Sequence, residues 1–515
     1  MKISSLKDKF PAFSNILLAL LSACFLILAF PDFEFFILAW FALIPLFVAV
    51  KREKESLRKS FFLGWIFGTI FFFGTCWWLT YAPIHYAAFS PVLAYLLMFC
   101  VAVTVGIFPA VFCALFSILL KRLGSYAILF APFLWTATEF LRFWVTGNNW
   151  NAIGYSQAFD PLLVKFGSYG GVLLVSFICV AFNAFFTMPI VKRTKQFWSF
   201  AALLPLTAIA FFLLGTNPNS TTGSIEANVI AVQPNVPMSG VKYEERASFR
   251  ERHVQLAEEA LQKIERQQPG KPTIIIFPES PMIFLYSEDA ELREFLKRFA
   301  RKNNAFVLFN SAEPDAKTKQ YFNSAVMVDQ NGEKIAQYDK LHLLPFGEFQ
   351  PLPDFIASEI PAFVGNFSFG DEYDLLPFGE AKGGAMICFE SHFGSLSREY
   401  VRRGADFLIE MTNDGYLGKT PVLRQHLANS VFRAVETNRP LIRVTNVGVT
   451  AYINERGEVS DEAEVYTEAA RVWTVSKSDG SQTFYVRYGD WFAWLCSIAS
   501  LALLLLSLKK KERGL

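Results

Sequence analysis

The stretch IIIFPE, residues 274–279, decides the fold of the second half of this chain. Its four leading apolar residues, three of them β-branched, predict a short buried strand. Pro278 has no N–H to pair with a neighbouring strand, so the strand must end there. The carboxylate of Glu279 therefore follows a buried strand directly, at a position where α/β folds usually carry their chemistry.

Six further short runs of apolar or β-branched residues follow the same pattern. They lie at residues 227–232, 305–309, 325–328, 384–388, 407–411 and 441–445. Helical patterns separate several of them, at residues 243–268, 289–303, 394–403 and 423–438. Strands that alternate with helices indicate α/β layering. We therefore predict one sizeable α/β domain at residues 217–485.

The rest of the chain is too apolar for an ordinary globular protein. Of the 515 residues of the whole chain, 53% are hydrophobic and 55 are Phe. Apolar runs of about 18 or more residues indicate membrane spans, and we find about eight. They lie near residues 14–30, 34–50, 61–80, 91–120, 125–145, 162–191, 197–215 and 488–508. We predict a transmembrane domain of about seven helices at residues 1–216, and a transmembrane helix with a basic tail at residues 486–515.

Lys and Arg cluster at the two ends of the chain and in alternate short connections between these runs. They lie within residues 2–9, 51–59, 121–122, 192–195 and 509–513, whereas residues 31–33, 82–90 and 147–160 contain none. Because basic connections stay cytoplasmic, both termini are expected inside and the α/β domain outside. The net charge of +2 is explained by these flanks and gives no support for nucleic-acid binding.

Cys24 leaves an alternative open at the N-terminus. The letters LSAC at residues 21–24, after a basic start and an apolar run, resemble a bacterial lipoprotein cleavage box. Apolar sequence continues through residues 25–30, where a mature lipoprotein would usually begin a polar linker. This continuation favours an uncleaved first span.

Cys388 is the only one of the seven cysteines between residues 217 and 485. It cannot form a disulfide within its own domain, so it is either a small core residue or a nucleophile. The turns around it supply three more charged candidates. YDKLHLLPFGE, residues 338–348, contributes Lys340 and Glu348, and CFE, residues 388–390, contributes Glu390.

A Cys–Glu–Lys set fits acyl-transfer chemistry. A thiol must lose its proton to attack a carbonyl carbon, and Glu279 can take that proton if burial raises its pKa. Lys340 can stabilise the oxyanion together with a backbone N–H just after Cys388. The product is a thioester that a second nucleophile resolves. Each residue also has an ordinary role: Glu279 as a helix cap, Lys340 as a solvated charge and Cys388 as a packed apolar residue.

A Cys–His pair is the main rival catalytic arrangement. The domain contains His253, His342, His392 and His426, of which His392 is four residues from Cys388. Neither His392 nor His426, which lies in a helical pattern, has a recognisable cysteine-protease context. No His pair has metal-site spacing and Cys388 has no CxxC partner, so we expect neither a metal nor a cofactor.

The three charged turns resemble the Glu, Lys and Cys motifs of the nitrilase superfamily. The residues concerned are FPES at 277–280, YDKLHLLPFGE at 338–348 and CFE at 388–390. Together with the apolar N-terminal half, they resemble the apolipoprotein N-acyltransferase family. QPN at residues 233–235, TNDGY at 412–416, RP at 439–440 and TNVGVT at 445–450 extend this likeness over nearly the whole chain.

The resemblance implies an α-β-β-α sandwich on the outer, periplasmic face of the bacterial cytoplasmic (inner) membrane. It implies a ping-pong reaction in which Cys388 takes a fatty acyl chain from a membrane phospholipid. The α-amine of an S-diacylglyceryl cysteine, at the N-terminus of an apolipoprotein, would then attack the thioester. We expect the chain to act as a multi-pass monomer without a cofactor.

The resemblance also implies roles for individual residues. Glu279 corresponds to the general base and Lys340 to the oxyanion-stabilising lysine. Glu348 and Glu390 correspond to supporting acids, and Asn413 to a residue that lines the site. Three aromatic residues stand where the family often has Tyr, Trp and Trp respectively, and we assign them to the substrate pocket: Phe389, Tyr416 and Tyr243.

A Pro- and Phe-rich segment, residues 348–367, has little helical or strand pattern. Soluble proteins seldom expose so many aromatic residues in a loop, so Phe363 and Phe367 are expected on a lid that enters the lipid interface. The alternative is an ordinary packed loop. Near the outer end of the fifth predicted span, Glu139 and Arg142 can form an i,i+3 pair or hold a lipid headgroup, and the spacing favours the pair.

Three classes of function remain distinguishable. The first is the membrane-bound N-acyltransferase. The second is a membrane-anchored nitrilase-type amidase or hydrolase, in which water resolves the thioester. The third is a catalytically inert scaffold or transporter, which the filled Glu279, Lys340 and Cys388 positions disfavour.

Overall fold

The computed structural model describes residues 9–191, 223–239, 245–267, 270–279, 284–351 and 365–509. The chain divides into two compact units. One combines Met1–Asn217 with Tyr488–Leu515, and the other is Pro218–Arg487. Within the described residues, the strands all belong to the second unit.

The helices are numbered in chain order. They are α1 (Phe13–Ala29), α2 (Ile44–Arg52), α3 (Leu57–Cys76), α4 (Tyr81–Tyr86), α5 (Pro91–Val105), α6 (Ile107–Leu123), α7 (Ala131–Thr146), α8 (Gly167–Val191), α9 (Arg246–Gln267), α10 (Ala290–Asn303), α11 (Gly394–Arg402), α12 (Val422–Thr437), α13 (Phe484–Tyr488) and α14 (Trp491–Lys509).

The strands are numbered in the same way. They are β1 (Ile225–Gln233), β2 (Thr273–Ile276), β3 (Ala305–Pro314), β4 (Tyr321–Val328), β5 (Lys334–Asp339), β6 (Phe367–Ser368), β7 (Leu375–Phe378), β8 (Ala381–Ile387), β9 (Phe407–Thr412), β10 (Leu441–Thr445), β11 (Ala451–Ile453), β12 (Val459–Ser460) and β13 (Ala469–Ser476).

Local sequence signals set the ends of the helices. The side chain of Ser90 accepts a hydrogen bond from the N–H of Leu93 at 3.3 Å, and Pro91 begins α5. Asp289 caps α10 in the same way, by accepting from the N–H of Leu292 at 3.0 Å. Such caps satisfy N–H groups that have no partner inside the helix.

Four helical segments among the described residues are long and apolar enough to cross a membrane: Leu57–His85, Pro91–Thr146, Val164–Val191 and Trp491–Leu508. That is fewer than the about eight spans expected from apolar run length. One of the four is a run of 56 residues that contains α5, α6 and α7, while α1 has only 17 residues. The predicted span at residues 197–215 lies outside the described residues. The first unit is thus a membrane-type helical unit, and its number of spans stays a prediction.

Glycine permits α3 and α6 to approach closely. A Cβ atom added at Gly64 would lie 2.4 Å from the carbonyl oxygen of Pro109, and one added at Gly68 would lie 2.9 Å from the Cα of Gly106. Small residues at such contacts let membrane helices pack backbone to backbone. Larger side chains there would force α3 and α6 apart.

Glu139 and Arg142 are both buried on α7. The structure bonds each of them to the connection that follows the helix, in place of the predicted i,i+3 pair. The N–H of Ile153 donates to Glu139 Oε1 at 2.9 Å, and Arg142 Nη1 donates to the carbonyl oxygen of Trp150 at 2.9 Å. The two charges therefore fasten this connection to α7.

Two sheets form the centre of the second unit. The first has the order β13-β1-β2-β3-β4-β5, with β6 paired to β4, and the second has the order β12-β11-β10-β9-β8-β7. Strands β1, β2 and β3 run parallel, as do β8, β9 and β10. The carboxyl ends of parallel strands lie at one edge of a sheet, which brings the residues that follow them close together.

A helical layer covers one face of each sheet. Alternate residues of β1–β4, such as Ile275 and Val307, form an apolar core with Leu256 of α9 and Phe299 of α10. Helices α11 and α12 pack on the second sheet, and the two sheets face each other through β1 with β10 and through β5 with β7. The predicted α-β-β-α sandwich is therefore confirmed.

The seven strands and four helices expected in this unit are all present, with ends shifted by a few residues. The sequence analysis missed six strands: β5, β6, β7, β11, β12 and β13. Most are edge or near-edge strands whose residues alternate poorly between apolar and polar. In β13, for example, seven of the eight residues are only partly buried, so no apolar run marks the strand.

Candidate active site

The parallel strands deliver the candidate residues to a common region. Glu279 follows β2 in the first sheet, whereas Cys388 follows β8 and Asn413 follows β9 in the second. The backbone N–H of Asn413 donates to Glu279 Oε2 at 3.1 Å, which joins the two sheets at this point. The thiol of Cys388 lies close enough to the Glu279 carboxyl group for the two to shift each other's pKa.

Asn323 of β4 connects the two carboxyl groups of the site. Its Nδ2 donates to Glu279 Oε1 at 3.1 Å and to Glu348 Oε1 at 2.6 Å. The sequence analysis missed Asn323, because the apolar run that marks β4 begins two residues later. Its signal was present in a weaker form, as a polar residue at the start of a buried strand.

Lys340 is 1% exposed. The alternative that it is an ordinary solvated charge at the surface is therefore wrong. Its Nζ forms an ion pair with Glu348 Oε1 at 2.8 Å, and Glu348 Oε2 accepts from the N–H of Leu344 at 2.7 Å. Burial alone would lower the pKa of Lys340, but the carboxylates of Glu348 and Glu279 raise it above its usual value. Lys340 is therefore a fixed cation. We call Glu279, Lys340 and Glu348 the base cluster.

The surroundings of Glu279 disfavour ionisation of its carboxyl group. Burial raises the pKa of this carboxyl group, and Glu348 adds to the rise, whereas the nearby Lys340 charge opposes it. A carboxylate with a raised pKa is a better proton acceptor than an ordinary one.

Cys388 occupies a sharp turn between β8 and a single turn of 3₁₀-helix. Its φ of +53° is left-handed, a region that non-glycine residues seldom adopt and that recurs at functional sites. Burial raises the pKa of the thiol well above its usual value; the Glu279 charge raises it further and Lys340 lowers it. The resting thiol is therefore protonated, and an attack by its sulfur would require a proton acceptor.

Glu390 joins the Lys340 turn to the Cys388 strand. Its Oε1 accepts from Tyr338 Oη at 2.7 Å and from the N–H groups of Leu341 and His342 at 2.8 and 2.9 Å. Its Oε2 accepts from the N–H of Ile387 at 2.8 Å. Burial raises the pKa of Glu390 to about 7, against the opposing effects of Lys340 and these donors. Its contacts suit a positioning role.

A second charged group lies behind Cys388, and sequence analysis did not find it. His426 of α12 places Nε2 3.0 Å from the carbonyl oxygen of Cys388 and Nδ1 2.7 Å from Asp414 Oδ1. Nε2 also lies 3.0 Å from Glu410 Oε1. Arg443 of β10 forms ion pairs with both carboxylates, with 2.7 Å between its Nη2 and Asp414 Oδ2. We call Glu410, Asp414, His426 and Arg443 the anchor cluster.

The anchor cluster is fully charged. Burial alone would raise the pKa values of Glu410 and Asp414, but Arg443 and His426 lower both, that of Glu410 to about 2. Burial alone would lower the pKa of His426, yet Asp414 and Glu410 raise it to about 9. His426 is hydrogen-bonded to the carbonyl oxygen of Cys388 and to Asp414, and its Nε2 lies 3.0 Å from Glu410. The rival Cys–His arrangement is therefore replaced by a contact between His426 and the backbone of Cys388.

Three further predicted site residues differ in burial: Asn413 is buried, whereas Phe389 and Tyr416 are half-buried. Asn413 Oδ1 accepts from Asn446 Nδ2 at 3.2 Å, and Asn413 is buried beside Glu279. Phe389 is half-buried and stacks on His392 with ring centroids 5.7 Å apart. Tyr416 is half-buried in the turn that follows β9.

The lid prediction is corrected at one position. Phe367 begins β6 and pairs with Tyr321 of β4, and its N–H donates to the carbonyl oxygen of Glu348 at 2.9 Å. It is thus a strand residue next to the base cluster. Phe363 and Tyr243 lie outside the described residues. Within the described part of the chain, no group of three or more His, Cys, Asp or Glu is arranged to hold a metal ion.

Two family models match this chain. The model of the apolipoprotein N-acyltransferase N-terminal domain matches residues 22–185, and the carbon-nitrogen hydrolase model matches residues 229–480. An apolipoprotein N-acyltransferase from Geobacter metallireducens is 31% identical over 510 residues, covering 96% of each chain. One from Pasteurella multocida is 28% identical over 508 residues, covering 96% of this chain and 94% of the other.

Solved structures of the nitrilase superfamily are also similar. A Saccharomyces cerevisiae member is 19% identical, with a TM-score of 0.36, covering 49% of this chain and 91% of its own. An amidase from Nesterenkonia sp. AN1 is 17% identical, with a TM-score of 0.38, covering 52% of this chain and 95% of its own.

Proposed function

The chain belongs to the apolipoprotein N-acyltransferase family, and from this premise we propose that it transfers a fatty acyl chain from a membrane phospholipid to an apolipoprotein. The acceptor is the α-amine of the S-diacylglyceryl cysteine at the apolipoprotein's N-terminus. The observation that carries the proposal is the convergence of Glu279, Lys340 and Cys388 in a chain with helices of membrane-spanning length.

In the first half-reaction, the Cys388 sulfur attacks the ester carbonyl carbon of the phospholipid. The carboxylate of Glu279 takes the thiol proton as the S–C bond forms. Lys340 and the N–H of Phe389 stabilise the oxyanion. The ester C–O bond then breaks, Glu279 returns the proton to the leaving oxygen, and lysophospholipid departs while the acyl chain stays as a thioester.

In the second half-reaction, the amine of the diacylglyceryl cysteine attacks the thioester carbon. Glu279 accepts a proton from the attacking nitrogen, and Lys340 again stabilises the oxyanion. Collapse breaks the C–S bond, the sulfur regains its proton, and the product is an amide. A thioester suits this step because a thiol is a better leaving group than the amine that replaces it.

We place the protein in the bacterial inner membrane as a multi-pass monomer of about eight spans. Both termini are cytoplasmic and the catalytic unit is periplasmic, since Lys and Arg occupy alternate connections. This orientation puts Cys388 on the side of the membrane where lipidated apolipoproteins are exposed.

Hydrolysis is the competing function, since the carbon-nitrogen hydrolase model matches the catalytic unit. Purified protein in vesicles should be supplied with a phospholipid labelled in its acyl chain and with a diacylglyceryl peptide. We expect labelled, N-acylated peptide. Free labelled fatty acid, formed at the same rate with or without peptide, would establish the hydrolase instead.

Two cysteine variants control this assay. Cys388→Ala should abolish transfer, because the thioester cannot form. Cys100→Ala changes an exposed cysteine of α5 and should leave transfer unchanged. Full transfer by Cys388→Ala would exclude the thioester route.

A further inference from the structure

The carbonyl oxygen of Cys388 is held by two buried side chains. His426 Nε2 lies 3.0 Å from it, and Ser391 Oγ donates to it at 3.4 Å. A peptide group is planar and trans, so its C=O and N–H bonds point in opposite directions. Whatever fixes the carbonyl of Cys388 therefore also fixes the direction of the Phe389 N–H.

The His426 ring must be a cation in this setting. Both of its nitrogens face oxygen atoms that act as acceptors: the carbonyl of Cys388, and the carboxylates of Asp414 and Glu410. A neutral imidazole has only one N–H, so it cannot donate on both sides. Arg443 pairs with the same two carboxylates and keeps them ionised.

The groups around His426 come from three neighbouring strands and from the turn that follows one of them. Glu410 belongs to β9, Asp414 to the turn that follows it, and Arg443 to β10, while Cys388 ends β8. Ser430, on the same helix as His426, donates to Glu410. Two cations face two carboxylates, so the anchor cluster is neutral as a whole and fixes the ring without adding net charge beside the thiol.

We propose that His426 is a positioning residue for the acyl-transfer reaction: its imidazolium holds the Cys388 carbonyl and thereby aims the Phe389 N–H at the oxyanion. The inference rests on the proposed function, since an oxyanion arises only if Cys388 is acylated. The sulfur's proton still goes to Glu279, so His426 contributes no proton transfer.

A positioning role predicts that loss of His426 changes the rate of acylation and leaves the binding of lipid unchanged. His426 is buried behind the nucleophile and holds backbone, so its loss should leave the KM for phospholipid unchanged. A misdirected N–H donor weakens oxyanion stabilisation, and displacements of about 1 Å typically cost roughly 100-fold in rate. A residue needed only for folding would instead reduce the fraction of active protein.

The test is a single-turnover experiment with full-length protein in excess phosphatidylethanolamine vesicles. Intact-mass spectrometry follows the acyl adduct on Cys388, giving a rate constant and an amplitude. His426→Gln can occupy the site and donate once, but it carries no charge. We expect a rate constant reduced by roughly 100-fold at near-full amplitude. His253→Gln, which changes a buried histidine bonded to its own helix at Phe249, should match the unaltered protein.

The outcomes separate the two proposals. If the unaltered protein forms no adduct, the proposed function itself fails. If it forms the adduct and His426→Gln keeps the same rate constant, at full or reduced amplitude, the positioning role is wrong.

Unaltered protein provides a second measurement that does not depend on the variant folding. The adduct rate constant should fall as the pH rises through about 9, where His426 loses its proton. A rate constant that rises without a break through this range would also overturn the positioning role.

Discussion

The base cluster acts on the thiol of Cys388 and the anchor cluster on its backbone carbonyl, and the two clusters differ in charge balance. Fully ionised, the base cluster would hold two carboxylates against the single cation Lys340, whereas the anchor cluster holds two carboxylates against two cations. The pKa of Glu279 is accordingly raised, while that of Glu410 is lowered to about 2. A cluster with more carboxylates than cations can take up a proton. A cluster with equal numbers keeps its charges and holds the neighbouring backbone in place.

The comparison predicts opposite effects for similar substitutions. Neutralising the Glu279 carboxylate of the base cluster should remove activity but preserve stability. Neutralising one in the anchor cluster should mainly reduce stability, because it leaves a buried cation without its partner.

Among variants of the two clusters, the largest effect on activity is expected from Glu279→Gln. The amide keeps the shape of the side chain but cannot accept the thiol proton, and general base catalysis contributes roughly 10²- to 10⁴-fold. The melting temperature should be unchanged or higher, since the substitution removes a buried charge that Glu348 repels. Initial rates of peptide acylation and thermal unfolding in detergent measure both. Exposed Glu291→Gln is the control; a normal rate in Glu279→Gln would assign the base elsewhere.

Lys340→Met should reduce both activity and stability. Loss of an oxyanion donor typically costs about 10²- to 10³-fold in rate. Removing one partner of a buried ion pair costs about 3–5 kcal/mol of unfolding free energy. Denaturant unfolding of the catalytic unit and the acylation assay give the two values.

A double variant distinguishes these two effects. In Lys340→Met with Glu348→Gln, the buried carboxylate is neutral, so most of the stability should return. Activity should not return, because the cation remains absent. Recovery of activity in the double variant would show that Lys340 serves only to balance Glu348.

Glu410→Gln is the anchor-cluster counterpart of Glu279→Gln. It leaves Arg443 and His426 with a single carboxylate, so we expect a loss of about 3–5 kcal/mol in the free energy of unfolding. Activity per folded molecule should fall less than in Glu279→Gln. If Glu410→Gln and Glu279→Gln changed the free energy of unfolding equally, the difference in charge balance would not explain how the two clusters behave.

The charges of the anchor cluster should make the stability fall at both acid and alkaline pH. The contribution of Glu410 is complete above its unfolded pKa of about 4.3 and is lost as the pH falls through its folded pKa of about 2. The contribution of His426 is complete below its unfolded pKa of about 6.5 and is lost as the pH rises through about 9. Melting temperatures from pH 3 to 10 should therefore decline on both sides. His426→Gln should flatten the alkaline decline most and the acid decline less, because Arg443 still lowers the pKa of Glu410.

The smallest effect is expected from Tyr338→Phe. The substitution removes one of the four donors to Glu390 and leaves three backbone N–H groups in place. We expect a loss of about 1–2 kcal/mol in stability and less than a tenfold change in rate. A larger loss of rate would mean that the phenol hydroxyl, rather than the backbone, orients Glu390.

Residues 274–279 illustrate what the sequence could reveal. A buried strand that ends at a proline places Glu279 correctly, because local chemistry alone fixes the strand's end. Cys388 was placed at the end of β8 by the apolar run that precedes it, without a proline. Lys340 was found from its motif, but its burial and its pairing with Glu348 depend on tertiary packing.

His426 and Asn323 illustrate what the sequence could not reveal. The partners of His426 come from strand ends 12 to 38 residues away in sequence, and no local spacing predicts their meeting. Asn323 bridges Glu279 and Glu348 only because β4 lies in the same sheet as β2. Glu139 and Arg142 had a suitable spacing for an ion pair, yet the connection after α7 offered backbone partners to both.

The most direct test asks whether an acyl adduct on Cys388 can pass its acyl group to the peptide acceptor. Protein mixed with phospholipid and freed from excess lipid should carry one hydroxylamine-sensitive acyl group on Cys388. Addition of a diacylglyceryl peptide should discharge that group at the rate at which N-acyl peptide appears, with little free fatty acid. An adduct that is absent, that lies on another residue, or that is discharged equally fast by water alone would contradict acyl transfer through Cys388.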